Sequence, residues 1–292
     1  MAIRLSHRGM CVGDIETSTR FYAEGLGFMP AEQFAMGDPA LATVMEVPGS
    51  VIRARMVRNP AGVTFELLQF VKPETSGSRE RRSNNQYGLT HLAFYVDDME
   101  RAAERVRAAG GRVYEHTRAT FPEGNTTMMY CSDPDGVRIE LMHNPDVPAR
   151  FSHSGICITD IDRSMRFYSE AIGFAPAENY ALHDHSSWLD IVNELKDVKL
   201  RAQMVRSAEG NIFELLKMES PACFGPRERR TMNQYGLTHL AFHVDDIDRV
   251  AARIEANGGR AWPHTRATFQ NGIEIMYTTD PDGVRVELMK AA

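Results

Sequence analysis

SHRGMCVGDIETSTRFYAEGLGF (residues 6–28) reappears as SHSGICITDIDRSMRFYSEAIGF (152–174). RERRSNNQYGLTHLAFYVDD (79–98) returns as RERRTMNQYGLTHLAFHVDD (227–246), and DPDGVRIELM (133–142) as DPDGVRVELM (280–289). An offset that stays near half of the 292-residue chain marks a tandem duplication. The halves are 1–146 and 147–292, and HNPDVPAR (143–150), with its two prolines, reads as the junction.

Each half holds a weaker, shorter repeat. Residues 3–12 alternate apolar and polar, as a half-buried strand does. Asp14 is placed to cap the helical segment IETSTRFYAEGL, with Gly25 and Gly27 where a C-cap is expected. VIRARMV (51–57) and VTFELLQF (63–70) are strand-like runs split by an NPAG turn. LTHLAFYV (89–96) starts the pattern again. Asp97 or Asp98 caps MERAAERVRAAGG, and MMYCS and VRIELM flank the turn Asp133–Gly136. The order strand, helix, several strands (βαβββ) occurs four times, in modules 1–72, 87–143, 151–218 and 235–290. The expected class is therefore α+β.

Composition narrows the function. The chain is 43% hydrophobic and 25% charged, enough apolar material for a packed core. A net charge of −6 with no basic stripe argues against nucleic acid as partner. No stretch of about 18 apolar residues and no signal-peptide pattern occurs, so a cytoplasmic protein with no membrane partner is expected. Cys11, Cys131, Cys157 and Cys223 form no C-x-x-C pair and read as reduced thiols.

The chemistry-bearing residues fall at matching places. His7, His91, His153 and His239 each lie in the first strand of a module; Glu66, Glu140, Glu214 and Glu287 each lie in the last. Each Glu stands between apolar neighbours, as in Phe65-Glu66-Leu67 and Ile139-Glu140-Leu141, and so faces away from them, on a curved sheet into a shared concavity. Imidazole plus carboxylate is a ligand set for Zn, Ni, Co, Mn or Fe(II), one divalent ion per site. A lone His or Glu in a strand is ordinarily a hydrogen-bonded or solvated residue. Duplication copies any residue, so the agreement between halves proves little. The two modules within a half share far less sequence, and their agreement carries the argument.

These residues, with V-G-D and RFY…GLGF (7–28), G-L-T-H-L-A-F-x-V-D-D and D-P-D-G-x-x-x-E-L, resemble the vicinal oxygen chelate superfamily over essentially the whole chain. It includes glyoxalase I, methylmalonyl-CoA epimerase, extradiol dioxygenases, and fosfomycin-resistance and bleomycin-binding proteins. The resemblance implies four βαβββ modules forming two U-shaped mixed β-sheets around metal sites. It also implies a small-molecule substrate that chelates the metal through vicinal oxygens, and an oxyanion intermediate. Pairing within halves gives sites His7/Glu66/His91/Glu140 and His153/Glu214/His239/Glu287. Pairing across halves gives His7/Glu66/His239/Glu287 and His153/Glu214/His91/Glu140. The chain acts as a monomer or a homodimer.

Three chemistries fit the resemblance. The first is a glyoxalase-I-type lyase or isomerase, in which a carboxylate shuttles a proton beside a carbonyl while an enediolate is stabilised. Glu140 and Glu287 are the expected bases, with Glu66 and Glu214 next. The second is an Fe(II) extradiol dioxygenase acting on a catechol-like aromatic. Tyr130 through Glu140, and Tyr277 through Glu287, match the end of that signature, which marks Tyr130 and Tyr277 as further catalytic candidates. The signature's additional His is absent, Phe121-Pro122-Glu123-Gly124 and Gln270-Asn271-Gly272 standing there instead. The third is a ligand-sequestering protein, which retention of all eight ligand-type residues opposes. Glutathione-using members carry an Arg after the first His, where Cys11 and Cys157 stand here. Other groups near a substrate mouth are Arg55, Arg118 and Arg266, the Arg runs before each NQYG, and His116 and His264. Met128, Met129 and Met276 are strand residues beside the expected site.

Overall fold

The computed structural model describes residues 3–121, 124–182 and 187–292. Pro122 and Glu123 lie outside them. The first half runs β1 (Arg4–Val12), α1 (Ile15–Arg20), β2 (Met29–Met36), α2 (Pro39–Met45), β3 (Val51–Arg58), β4 (Thr64–Lys72), β5 (Gly88–Tyr95), α3 (Met99–Ala108), β6 (Arg112–Phe121), β7 (Thr126–Ser132) and β8 (Arg138–His143). The second runs β9 (Arg150–Cys157), α4 (Ile161–Arg166), β10 (Ala175–Leu182), α5 (Ser187–Asn193), β11 (Lys199–Arg206), β12 (Ile212–Ser220), β13 (Gly236–His243), α6 (Ile247–Ala256), β14 (Arg260–Ala261), β15 (Ala267–Thr268), β16 (Glu274–Thr279) and β17 (Arg285–Lys290).

The strands form two sheets. One has the order β14-β16-β17-β13-β1-β4-β3-β2, with β15 paired to β16; the other is β10-β11-β12-β9-β5-β8-β7-β6. Modules therefore pair across the halves, the first with the fourth and the second with the third. The joints are antiparallel, β1 on β13 and β5 on β9. Each last strand lies parallel to its module's first strand, as β4 to β1 and β17 to β13. This puts the His-bearing strands at the centre of each sheet with a Glu-bearing strand on either side.

Asp14, Asp98, Asp160 and Asp246 cap their helices, each accepting from the backbone N–H three residues on. The segment IETSTRFYAEGL is α-helical only to Arg20 and continues as a π turn over Phe21–Gly25. Gly27, with φ of 76°, ends it. The wider turn aims Tyr22 at the neighbouring module, where its hydroxyl donates to Asp133 of the DPDG turn at 3.0 Å; Tyr168 repeats this on Asp280 at 3.0 Å. These bonds tie together the two modules of one half, which sit in different sheets. A continuous apolar cluster between the sheets, including Phe21, Phe65, Phe94, Phe167, Phe213 and Phe242, completes the core. The modules depart from plain βαβββ in two places. The first and third carry an extra short helix, α2 or α5, and the second strand of the fourth is broken into β14 and β15 around Pro263–Thr265.

Candidate metal centres

Three strand spacings separate β4 from β17, about 14 Å in a flat sheet. Yet Glu66 and Glu287 both reach His7, their Oε2 atoms lying 3.5 and 3.6 Å from its Nε2. The sheet is rolled into a trough, and four side chains converge on its floor. His239 Nε2 completes the group, 3.2 Å from His7 Nε2, 3.5 Å from Glu66 and 3.0 Å from Glu287. The second trough repeats the arrangement: His91 Nε2 lies 3.3 Å from His153 Nε2, 3.4 Å from Glu214 and 3.7 Å from Glu140. His153 lies 3.6 Å from Glu140 and 3.7 Å from Glu214. All eight residues are buried. The structure thus brings together the sets expected for pairing across halves.

The spacing tests whether a metal fits. Donors on an ion with bonds of about 2.1 Å lie about 3.0 Å apart in cis octahedral and about 3.4 Å in tetrahedral positions. The His–His and His–Glu separations run from 3.0 to 3.7 Å, from that range to a few tenths of an ångström beyond it. Each imidazole has a hydroxyl beside Nδ1, from Ser6 (3.2 Å), Thr90 (2.9 Å), Ser152 (3.0 Å) and Thr238 (2.9 Å). A proton on Nδ1 donated to that hydroxyl leaves the Nε2 lone pair facing the centre, as a ligand requires. Two lone pairs opposed at 3.2 Å call for a cation between them.

The charges agree. Burial alone would lower His7, but the Glu66 and Glu287 carboxylates outweigh it and hold the imidazole up at about 10. His239 and His7 in turn outweigh burial at Glu287 and hold it below the usual carboxylate range. In the second site burial pushes Glu140 up to about 7, while His91 and His153 hold Glu214 down against burial. Each cluster is a buried polyvalent ligand that takes up a proton where a metal is not bound.

Two glycines make these centres possible, and the sequence reading passed over both. Gly9 lies opposite His239 in the strand register, and a Cβ there would fall 1.9 Å from His239 Cε1. Gly155 stands likewise against His91, at 2.1 Å. Each half's first strand is bare where the imidazole from the other half lies. The repeated His-x-Gly of residues 7–9 and 153–155 is the signal.

The first site opens into a cavity of about 490 Å³ lined by Phe34, Met36, Ile52, Met56, Phe269 and Ile275 among others. Cys11 is fully buried in the apolar cluster behind it. Other expected mouth residues are otherwise engaged. Arg55 pairs with Glu16 at 2.7 Å, Arg118 with Glu100, and Arg266 with Asp248 and Glu274, both at 2.6 Å. His264 and His116 meet the ends of the short helices. Each lies 2.8 Å from a glutamate, Glu46 or Glu194, in a left-handed conformation just past α2 or α5. Glu46 also accepts from Arg229 and Arg285, and Glu194 from Arg81 and Arg138. The Arg runs thus latch the short helices to the opposite half. Met129 and Met276 are core residues, while Met128 packs beside Tyr130.

A family model described as the Glyoxalase/Bleomycin resistance protein/Dioxygenase superfamily matches residues 4–141 and again 150–288. The chain belongs to this superfamily. Among its relatives, a lactoylglutathione lyase of Arabidopsis thaliana is 34% identical over 69% of this chain and 66% of its own length. A lactoylglutathione lyase of Oryza sativa subsp. japonica is 27% identical over 99% of this chain and 90% of its own. The crystal structure of glyoxalase I from Zea mays superposes with a TM-score of 0.71 at 19% identity, covering 99% of this chain and 92% of that one, and shares the fold.

Proposed function

We propose that the chain is a divalent-metal-dependent lyase or isomerase of the glyoxalase I type. Its substrate is a small molecule with vicinal oxygens, such as the adduct of a thiol with a 2-oxoaldehyde. The supporting observation is the complete set of two imidazoles and two carboxylates at metal-ligand spacing in each trough, one of them beside a substrate-sized cavity. His7, Glu66, His239 and Glu287 would hold a divalent ion, which would supply Lewis-acid charge to the substrate oxygens. In the first trough the last-strand carboxylate, Glu287, takes the proton from the carbon bearing the hydroxyl and returns it to the neighbouring carbonyl carbon, while the hydroxyl proton passes to the former carbonyl oxygen. No other reactant is consumed. Tyr277 and Tyr130 lie opposite Glu287 and Glu140 in strand register, and Tyr130 donates its hydroxyl to Glu140.

The relatives named lactoylglutathione lyase support this reading over ring cleavage. Zn, Ni, Co, Mn and Fe(II) all suit the donor set. Among the described residues no helix is long and apolar enough to cross a membrane. A cytoplasmic location remains part of the proposal, although one Arabidopsis thaliana relative, 24% identical, carries a chloroplastic designation.

The test combines elemental analysis with turnover of methylglyoxal and phenylglyoxal hemithioacetals, with and without O₂. Turnover independent of O₂ in protein loaded with Ni, Zn, Co or Mn is expected. Loss of activity on excluding O₂ from iron-loaded protein would establish the dioxygenase instead. The double variant Glu140→Gln/Glu287→Gln is expected to lose about 100-fold or more in kcat/KM, the worth of a general base. Unchanged turnover would refute the assigned bases.

A further inference from the structure

The two sites share their ligands and differ in what surrounds them. Phe34 and Tyr180 hold the same place, on β2 and β10, opposite Ala54 and Ala202. Met45 and Asn193 end α2 and α5. Met232 and Asn84 are equivalent in the repeated R-x-x-N-Q-Y-G segments, and Ala40 and Trp188 in the short helices.

In the second site these differences build a closed polar network. Tyr180 donates its hydroxyl to Glu214 Oε1. Tyr130 donates to Glu140 Oε1 at 3.2 Å, and Asn84 donates to Tyr130 Oη at 3.0 Å and to Asn193 Oδ1 at 3.1 Å. The non-ligating oxygen of each carboxylate is therefore tethered by a phenol. A carboxylate leaving its place would abandon a buried hydrogen bond and strand the phenol. Above this network the Trp188 and Phe121 rings pack 4.1 Å apart.

In the first site the same positions are apolar. Phe34 and Met45 line the cavity, Met232 belongs to the apolar cluster beside it, and Ala40 stands at the helix position that Trp188 holds in the second. Tyr277 Oη, the counterpart of Tyr130, is buried without a hydrogen-bond partner. Neither Glu66 nor Glu287 accepts from a phenol among the described residues.

We propose that the sites divide the work. His7, Glu66, His239 and Glu287 form the reaction centre, for a substrate whose vicinal oxygens are attached to an apolar body. His91, Glu140, His153 and Glu214 hold a metal in a closed structural centre that admits no substrate. This division rests on the proposed lyase reading for its chemistry, and its test reads ligand access separately from turnover.

Full-length protein loaded with Co(II) is titrated with benzohydroxamate, a chelating oxygen pair on an apolar ring, and followed by cobalt absorption. About two cobalt ions per chain and about one equivalent of hydroxamate are expected. Tyr180→Phe with Trp188→Ala raises the uptake towards two, and Phe34→Tyr lowers it at least tenfold in affinity. Two equivalents bound by the unaltered protein, or none, overturn the division, as does uptake indifferent to Phe34→Tyr. One equivalent bound by a protein that turns over no hemithioacetal refutes the lyase reading and leaves the division standing.

Discussion

Gly9→Ala is the sharpest probe of how the halves make a site together. The added methyl would lie 1.9 Å from His239 Cε1, 2.3 Å from Nδ1 and 2.6 Å from Nε2. Ordinary carbon contacts need about 3.5 Å or more, so the ring must retreat by about 1.5 Å. The strands cannot absorb this by separating, because Gly9 and His239 are register partners in the antiparallel ladder that joins the halves. Metal bonds tolerate displacements of only about 0.2 Å. The strain of an overfilled core adds a cost of about 1–3 kcal/mol.

The variant should therefore fold, melt at a lower temperature and lose its first metal. Metal content should fall from about two ions per chain to about one, with affinity at the altered site down by on the order of 100-fold or more, at least the loss typical of second-sphere changes. Gly155→Ala should do the same to the second site through His91, whose Cε1 would lie 2.1 Å away. Elemental analysis after dialysis, with competition against a chromogenic chelator, measures both. Two ions retained in Gly9→Ala, with affinity within about threefold of the parent, would show that His239 is not a ligand.

Four further outcomes are expected. Chelation should destabilise the protein by about 4 kcal/mol for each site where metal is present at about a thousandfold over Kd, lowering Tm by on the order of 10 °C or more. The metal-free form should also lose stability as pH rises towards 10. A His7 pKa held at about 10, against 6.5 unfolded, stabilises fully below 6.5 and is lost through the folded value, so melting curves of loaded and stripped protein should diverge with alkalinity. Glu46→Gln should raise KM and cost about 1–3 kcal/mol by freeing α2 from Arg229, Arg285 and His264. Burial opposes ionisation of Glu46, but Arg285, His264 and Arg229 hold its pKa below the ordinary value. Its stabilisation is present above about pH 4.5 and lost as pH falls through the folded pKa, and the variant should lack this part of the acid transition. Asp133→Asn should be nearly neutral in a denaturant titration at pH 7 and Asp133→Ala should cost about 2 kcal/mol, since the carboxyl, pushed up to about 7 by burial, anchors two backbone N–H groups and Tyr22.

Much of the fold was legible because its determinants are local. Aspartates before apolar-periodic runs, DPDG between short strands and His or Glu in first and last strands are read within a few residues of each other. The structure gives the recurring Tyr of RFY and the first Asp of DPDG a shared purpose, as partners across modules. Helices α2 and α5 escaped because each is short and stands between strands. Their anchoring is distant too: Glu46 meets Arg229, and Glu194 meets Arg81, through contacts far apart in the chain.

The pairing of halves was hidden for a deeper reason. Either pairing uses every ligand once and gives each site two His and two Glu, so composition and spacing are blind to the choice. A small residue facing a large one across the joint breaks the tie. Gly9 makes room for His239 and Gly155 for His91, and an alanine at either place excludes the imidazole. His-x-Gly in a strand is thus a message about the neighbouring strand, readable only once that neighbour is known. The same holds for Phe34 against Tyr180, a single hydroxyl on a background of duplicated sequence. The ligands are identical in the two sites, and the residues that distinguish them lie on β2 and β10, α2 and α5, and the segments before β5 and β13. Chemistry that requires a carboxylate to move is decided there, by whether its second oxygen is already held.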